Sequence, residues 1–211
     1  MSEGAAGAYD LGEAFPVDDA RHLPPGTSLL VIGTPGVGTE TLALESLAAG
    51  HERGEGVVPV STARAAADLR DRYTAATGRA ADGLVSVVDA SGGGDGIESP
   101  GDLTGIGGGL SRATESVGTP RLRVGVLSLT SMLEFLDRRS VFKFCHTVCA
   151  RVDNAGYLGL ATLDTTAVDE QTVGMLSEAF DGTVELREDE KGEVARVVGL
   201  PDTAVTWHAR G

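Results

Sequence analysis

"LLVIGTPGVGTETLAL", residues 29–44, runs from an apolar segment through a turn holding glycine and proline into a helical pattern. A strand that enters a helix through such a turn is the layout of a phosphate-binding P-loop, G-x-x-x-x-G-K-[ST]. Gly33 and Gly38 hold the two glycine positions, but Thr39 stands where the lysine belongs and Glu40 where the metal-binding hydroxyl belongs. The loop therefore lacks the ammonium that reaches the β and γ phosphates, and it carries an anion at the metal position. Two unit charges ~5 Å apart at an effective dielectric of ~20 interact by roughly 3 kcal/mol, so tight ATP binding is not expected. Thr41 keeps a hydroxyl one position later, turned about 100° around the helix from Glu40. Gly33, Gly36 and Gly38 then read as a loop remnant, kept for a tight strand-to-helix turn with positive φ. With Thr39 and Thr41 they are the candidate nucleotide- or phosphate-binding residues. No catalytic or metal-ligating residue is expected.

Outward from this stretch, apolar runs alternate with helical patterns. "GVVPVS" precedes "ARAAADLRDRYTAAT", "LVSVVD" and "RVGVLSL" follow, a long helical stretch covers 130–154, and "YLGLATL" precedes "TAVDEQTVGMLSEAF". Runs rich in Val and Leu with few outward polar residues indicate a largely parallel sheet covered on both faces, an α/β protein. "TVELRED" and "EVARVVGL" flank the acidic turn "EDEKG" and predict an antiparallel C-terminal hairpin at a sheet edge. Residues 1–22, rich in Ala, Gly and acids without periodicity, read as a mobile acidic lead-in, and residues 23–211 as a single domain. The stretch "DASGGGDGIESPGDLTGIGGGL" reads as a long surface loop entering a helix near Leu103 or Leu110.

Composition narrows the function. The chain of 211 residues carries 31 acidic against 17 basic side chains, a net charge of −14, and lysine occurs only at Lys143 and Lys191. This profile resembles proteins of salt-loving archaea, and its self-repulsion is large unless salt screens it. No basic face is present to release counterions from phosphates, so nucleic acid is not an expected partner. No run of about 18 apolar residues and no basic-then-apolar leader occurs, so a soluble cytoplasmic protein without membrane contact is expected. Cys145 and Cys149 flank His146, but Val141, Phe144, Cys145, Val148 and Val152 share one helical stripe, which reads both thiols as small buried apolar groups. Asp89 and Asp164 end two strands where open α/β sheets place a ligand crevice, and they read as caps of the following helices. Trp207 is expected to anchor the tail against the core.

In this order and spacing, the segments resemble the KaiC type of RecA-superfamily ATPases from about Leu23 to Trp207. "LPPGTSLLVIGTPGVGTETLALESL" is similar to that family's opening strand, P-loop and first helix, "GVVPVSTARAAADLR" to its second strand and helix, and "RVGVLSLTSMLEFL" to its Walker B strand. "FDGTVELRE…EVARVVGLPDTAVTW" is similar to its terminal hairpin. The resemblance implies a RecA-like P-loop fold and locates three further departures. Leu127 stands where the Walker B aspartate would hold Mg²⁺, Ala63 and Arg64 where an acidic pair would activate water, and Gly199 and Pro201 where a basic pair would reach a neighbouring nucleotide.

With these roles replaced together, the expected function is a regulatory or protein-interaction module of haloarchaeal type that has lost ATP hydrolysis. It needs no cofactor, and its partner is a protein, either an active KaiC-like relative or a second copy. The alternative is a nucleotide or phosphate sensor that uses the loop Gly33 to Gly38, since backbone amides at a helix N-terminus attract anions without a lysine.

Overall fold

A computed structural model describes residues 7–93, 97–190 and 192–210. The chain opens with a short antiparallel ribbon, β1 (Tyr9–Asp10) and β2 (His22–Leu23). There follow β3 (Ser28–Gly33), α1 (Thr39–Ala48), β4 (Gly56–Ser61), α2 (Ala66–Thr77), β5 (Val88–Asp89), α3 (Leu103–Val117) and β6 (Leu122–Leu127). Next come α4 (Leu129–Leu133), α5 (Arg138–Ala155), β7 (Leu158–Asp164), α6 (Glu170–Ser177), β8 (Gly182–Asp189), β9 (Gly192–Val198) and β10 (His208–Ala209). Eight strands form one sheet in the order β10-β9-β8-β3-β7-β6-β4-β5. The ladder is parallel from β8 to β5, and antiparallel at the C-terminal edge, where β8 pairs with β9 and β9 with β10. The α/β class, the mostly parallel sheet and the terminal hairpin all stand as the sequence implied.

Side-chain alternation divides the core. Along β3, Leu29 and Val31 join one cluster with Leu42 and Leu47 of α1 and Leu69 and Tyr73 of α2. Leu30 and Ile32 join the other, with Ile106 and Leu110 of α3 and Phe144 and Cys145 of α5. Strands buried on both faces thus read as unbroken apolar runs. The α5 stripe packs as expected: Val141, Phe144, Cys145 and Val152 are buried, and Val148 is partly so. Burial raises both thiol pKa values, that of Cys149 to about 11, so both are protonated near neutrality.

Residues 7–22 depart from the expected lead-in. Tyr9, Leu11, Phe15 and Val17 are buried in the α1/α2-side cluster. The cause lies far along the chain, where Arg121 donates to the carbonyls of Gly7 and Ala8 at 2.8 and 3.1 Å and stacks its guanidinium 3.9 Å from the Tyr9 ring centroid. Beside it, fully buried Arg123 is neutralised by Glu55 at 2.6 Å and donates to the Ser46 carbonyl. Residues 1–6 of the lead-in, Gly94–Gly96 of the glycine-rich stretch and Lys191 of the acidic turn lie outside the described residues. The helix after the glycine-rich stretch begins at Leu103, with the Asp102 carboxylate accepting from the Gly105 amide at 2.8 Å.

Candidate functional site

The loop between β3 and α1 turns on left-handed glycines. Gly36 and Gly38 have φ of +97° and +71°, a left-handed region that side-chain-bearing residues rarely adopt. Gly33 has no such φ. It is required for a different reason: a Cβ there would stand 2.6 Å from Val37 Cγ2 and 3.0 Å from the Leu186 carbonyl oxygen. Expectation and structure thus agree on two glycines and differ on the third. Gly38 caps α1 without a side-chain acceptor, so the first-turn amides of α1 have no side-chain partner there.

That cleft measures about 470 Å³ and is lined by Gly36, Gly38, Thr39, Glu40 and Thr41 from the loop and α1, by Ala63 and Arg64, and by hydroxyls including Ser128, Thr130 and Thr162. All the loop candidates except Gly33 therefore border one space. Glu40 does not face it as a lone anion. Its Oε2 lies 3.2 Å from Arg64 Nη2 and its Oε1 3.9 Å from Arg72 Nη1. Arg64 is held for this contact by the turn that carries it. The Ser61 hydroxyl donates to the Arg64 carbonyl at 2.6 Å, and the Asp89 carboxylate accepts from the Ala66 amide at 2.7 Å, fixing the start of α2.

Leu127 ends β6 beside Ser61 of β4, and its side chain is buried in the cluster that includes Val37 and Leu44. The position thus supplies packing beneath the glycine loop and no oxygen to the cleft. Among the described residues, no group of three or more His, Cys, Asp or Glu is placed to hold a metal ion. Asp164 borders the cleft with its carboxylate accepting from the Thr166 amide and hydroxyl, both at 2.8 Å. Asp89 caps α2, the helix before it in sequence, rather than α3 as expected. Burial would raise its pKa, but hydrogen bonds from Ser91 and Ala66, aided by nearby Arg70, outweigh that and hold it below 3.8.

One contributor carried no signal in the sequence. Arg210, just past β10, reaches the back of the glycine loop, donating to the Val37 and Gly38 carbonyls at 3.3 Å each. It also approaches Glu193 at 3.2 Å and Glu45 at 3.5 Å, and burial raises the Glu45 pKa. Trp207 sits with Arg187 and Arg196 at 3.9 and 4.6 Å from its ring, so it anchors the tail on the hairpin's own cations rather than on the apolar core.

Sequence and fold now place the chain among known proteins. Residues 26–186 match a family of unknown function, DUF7504. The chain belongs to the DUF7504 family. No curated protein matches it. Among solved structures, the DUF7504 chain is similar to the KaiC-like protein PH0186 from the hyperthermophilic archaeon Pyrococcus horikoshii OT3. The TM-score is 0.69 with 19% identity, over 97% of this chain and 93% of that one. At that identity the likeness establishes the RecA-like fold, and because fold does not imply function, activity must be argued from the cleft. Among the described residues, no helix is long and apolar enough to cross a membrane.

Proposed function

We propose that this DUF7504 chain is a KaiC-like regulatory or protein-interaction module of haloarchaeal, cytoplasmic type whose glycine-loop cleft no longer hydrolyses ATP. The observation that carries the proposal is the ion pair inside the cleft. Glu40, at the position of the P-loop hydroxyl, is paired at 3.2 Å with Arg64, which stands with Ala63 where the resemblance places an acidic pair. A nucleotide with Mg²⁺ needs the reverse arrangement: cation toward phosphate, hydroxyl and aspartate toward metal. The residues present do not fit that metal, since Leu127 is in the core and Glu40 is held by arginine. The partner is a protein, an active KaiC-like relative or a second copy of this chain, and neither nucleic acid nor membrane is involved.

A second reading rests on a separate observation. The cleft of about 470 Å³ remains open before a loop whose Gly36 and Gly38 keep positive φ, which suits a nucleotide or phosphate sensor. Calorimetric titration of ATP, ADP and inorganic phosphate in molar KCl, paired with a phosphate-release assay, separates the two. No turnover and no binding tighter than about 10 μM, roughly 7 kcal/mol, is the expected result. Tighter binding without turnover selects the sensor, and turnover above a matched blank refutes the proposal.

A further inference from the structure

At the edge of the sheet opposite the hairpin, β5 is the last strand and only two residues long. Its shortness has a cause in β4. Val57 bonds to β5's approach from both sides, through Leu84 and Ser86, and Ser61 accepts from Ala90. Pro59, midway between them, has no N–H to offer, so the ladder weakens there. The same bonds fix which way the edge backbone points. Ser86 and Ala90 donate inward to β4, so Val87 between them turns its N–H and C=O outward, and neither has a hydrogen bond among the described residues.

The space outside Val87 is a cleft of about 500 Å³. Its lining includes Arg70 from α2, Ser86 to Asp89, Gly93 and Ile97, and Gly109 and Arg112 from α3. Because α2 packs on one face of the sheet and α3 on the other, a space touching both helices and β5 wraps the sheet edge. Gly109 keeps the α3 wall low: a Cβ there would stand 2.7 Å from Val88 Cγ1. The two arginines are exposed, and neither makes an ion pair or side-chain hydrogen bond among the described residues. In a chain of net charge −14 most arginines form ion pairs, so two cations without one among the described residues, flanking one slot, are a recognisable charge pattern, with Arg70 near enough to Asp89 to act on it through space. Asp89, which also lines the slot, is already bonded to the Ala66 amide and to Ser91.

We propose that this slot takes an extended acidic peptide segment of a partner protein as a further strand of the sheet. Its backbone pairs with Val87, and its carboxylates meet Arg70 on one face and Arg112 on the other. Addition of a strand to an exposed edge draws affinity from main-chain bonds and specificity from alternate side chains. Successive side chains of a strand point to opposite faces, so the two arginines call for acids at adjacent positions rather than at every second one. The proposal is independent of the glycine-loop cleft, and either can fail without the other.

The probe is a fluorescein-labelled octapeptide of alternating valine and threonine with two adjacent central glutamates, measured by polarisation in about 0.2 M KCl, where the Debye length is ~7 Å. Binding should weaken about ten-fold or more in Arg70→Ala/Arg112→Ala and when lysines replace the glutamates. It should be lost on N-methylation of the central peptide amides, and bound peptide should slow hydrogen exchange at the Val87 amide. Both arginines are exposed, so the double variant should fold, and an unchanged circular dichroism spectrum checks this. Equal binding of the lysine peptide, undiminished binding of the N-methylated peptide, or no binding up to about 1 mM, ~4 kcal/mol, overturns the proposal. Full competition by glutarate or phosphate without protection of Val87 also overturns it, in favour of a small-anion site.

Discussion

Removing Arg64 tests whether the charges lining the cleft hold one another in place. The Glu40 and Arg64 side chains are 29% and 34% exposed, and their charged atoms lie 3.2 Å apart. At an effective dielectric of ~20 the bare Coulomb attraction is about 5 kcal/mol, an upper bound. Partial exposure, salt and the entropy of fixing two long side chains reduce it toward the range of ~0.2–1 kcal/mol measured for exposed pairs. One feature raises it again: Glu40 Oε1 is buried without a hydrogen bond and has only Arg72 at 3.9 Å for compensation. A coupling of about 1–2 kcal/mol is therefore predicted in dilute salt, equivalent to ~2–8 °C in melting temperature for a chain of this size. Arg64→Ala should cost more than Glu40→Gln, because the first strands a half-buried carboxylate while the second leaves an arginine free to turn to water. The assay is a double-mutant cycle of thermal unfolding in about 0.1 M and 2 M KCl, with phosphate titrated into Glu40→Gln, where Arg64 and Arg72 lose their anion. A coupling below about 0.3 kcal/mol, or Glu40→Gln destabilising more than Arg64→Ala, refutes the reasoning.

Three more outcomes are expected. Thr39→Lys alone should leave phosphate release at background, because residues that act as a catalytic unit contribute non-additively; even with Glu40→Thr, Ala63→Glu and Leu127→Asp added, the buried aspartate should destabilise the fold by about 3 kcal/mol or more, read by denaturant titration. Diluting salt from about 2 M to 0.1 M KCl should lower the melting temperature as screening of the −14 net charge is lost, and an unchanged value would contradict this. For acid unfolding, the Asp89 pKa is below 3.8 in the folded state, so its stabilisation is complete above that value and is lost as pH falls through the folded pKa. Asp89→Asn should flatten the stability profile in that acid window, and an unaltered profile would rule out the cap as a contributor.

The elements that were legible are those whose signal is local. Val- and Leu-rich runs bounded by glycine became β3, β4, β6 and β7, and the acidic turn between two alternating segments became the β8–β9 hairpin. Positive φ at Gly36 and Gly38 was likewise readable from the turn they make. What escaped is what depends on distant partners. The N-terminal segment looks polar in sequence, but it orders because Arg121, more than a hundred residues later, satisfies its carbonyls. Gly33 is needed for the approach of Leu186, on a neighbouring strand. Asp89 caps α2 because the β4–β5 ladder brings the end of β5 beside the start of that helix. Arg210 reaches the glycine loop only because β10 extends the sheet antiparallel to β9.

The residues around the glycine loop are mutually compatible. A glutamate in the first turn of α1 is favoured by the helix dipole, since it puts a negative charge where a bound phosphate would otherwise sit. Alone, it would still leave a half-buried anion. Arg64, on a turn fixed by Ser61 and by the capped start of α2, supplies the countercharge. Leu127, in place of a carboxylate, extends the core to the underside of the loop, where Val37 packs against the same cluster. The anion, the cation and the apolar contact thus each have a partner. Such internal matching supports the proposed reading, in which the loop's shape and the stability of the fold around it are kept without nucleotide turnover.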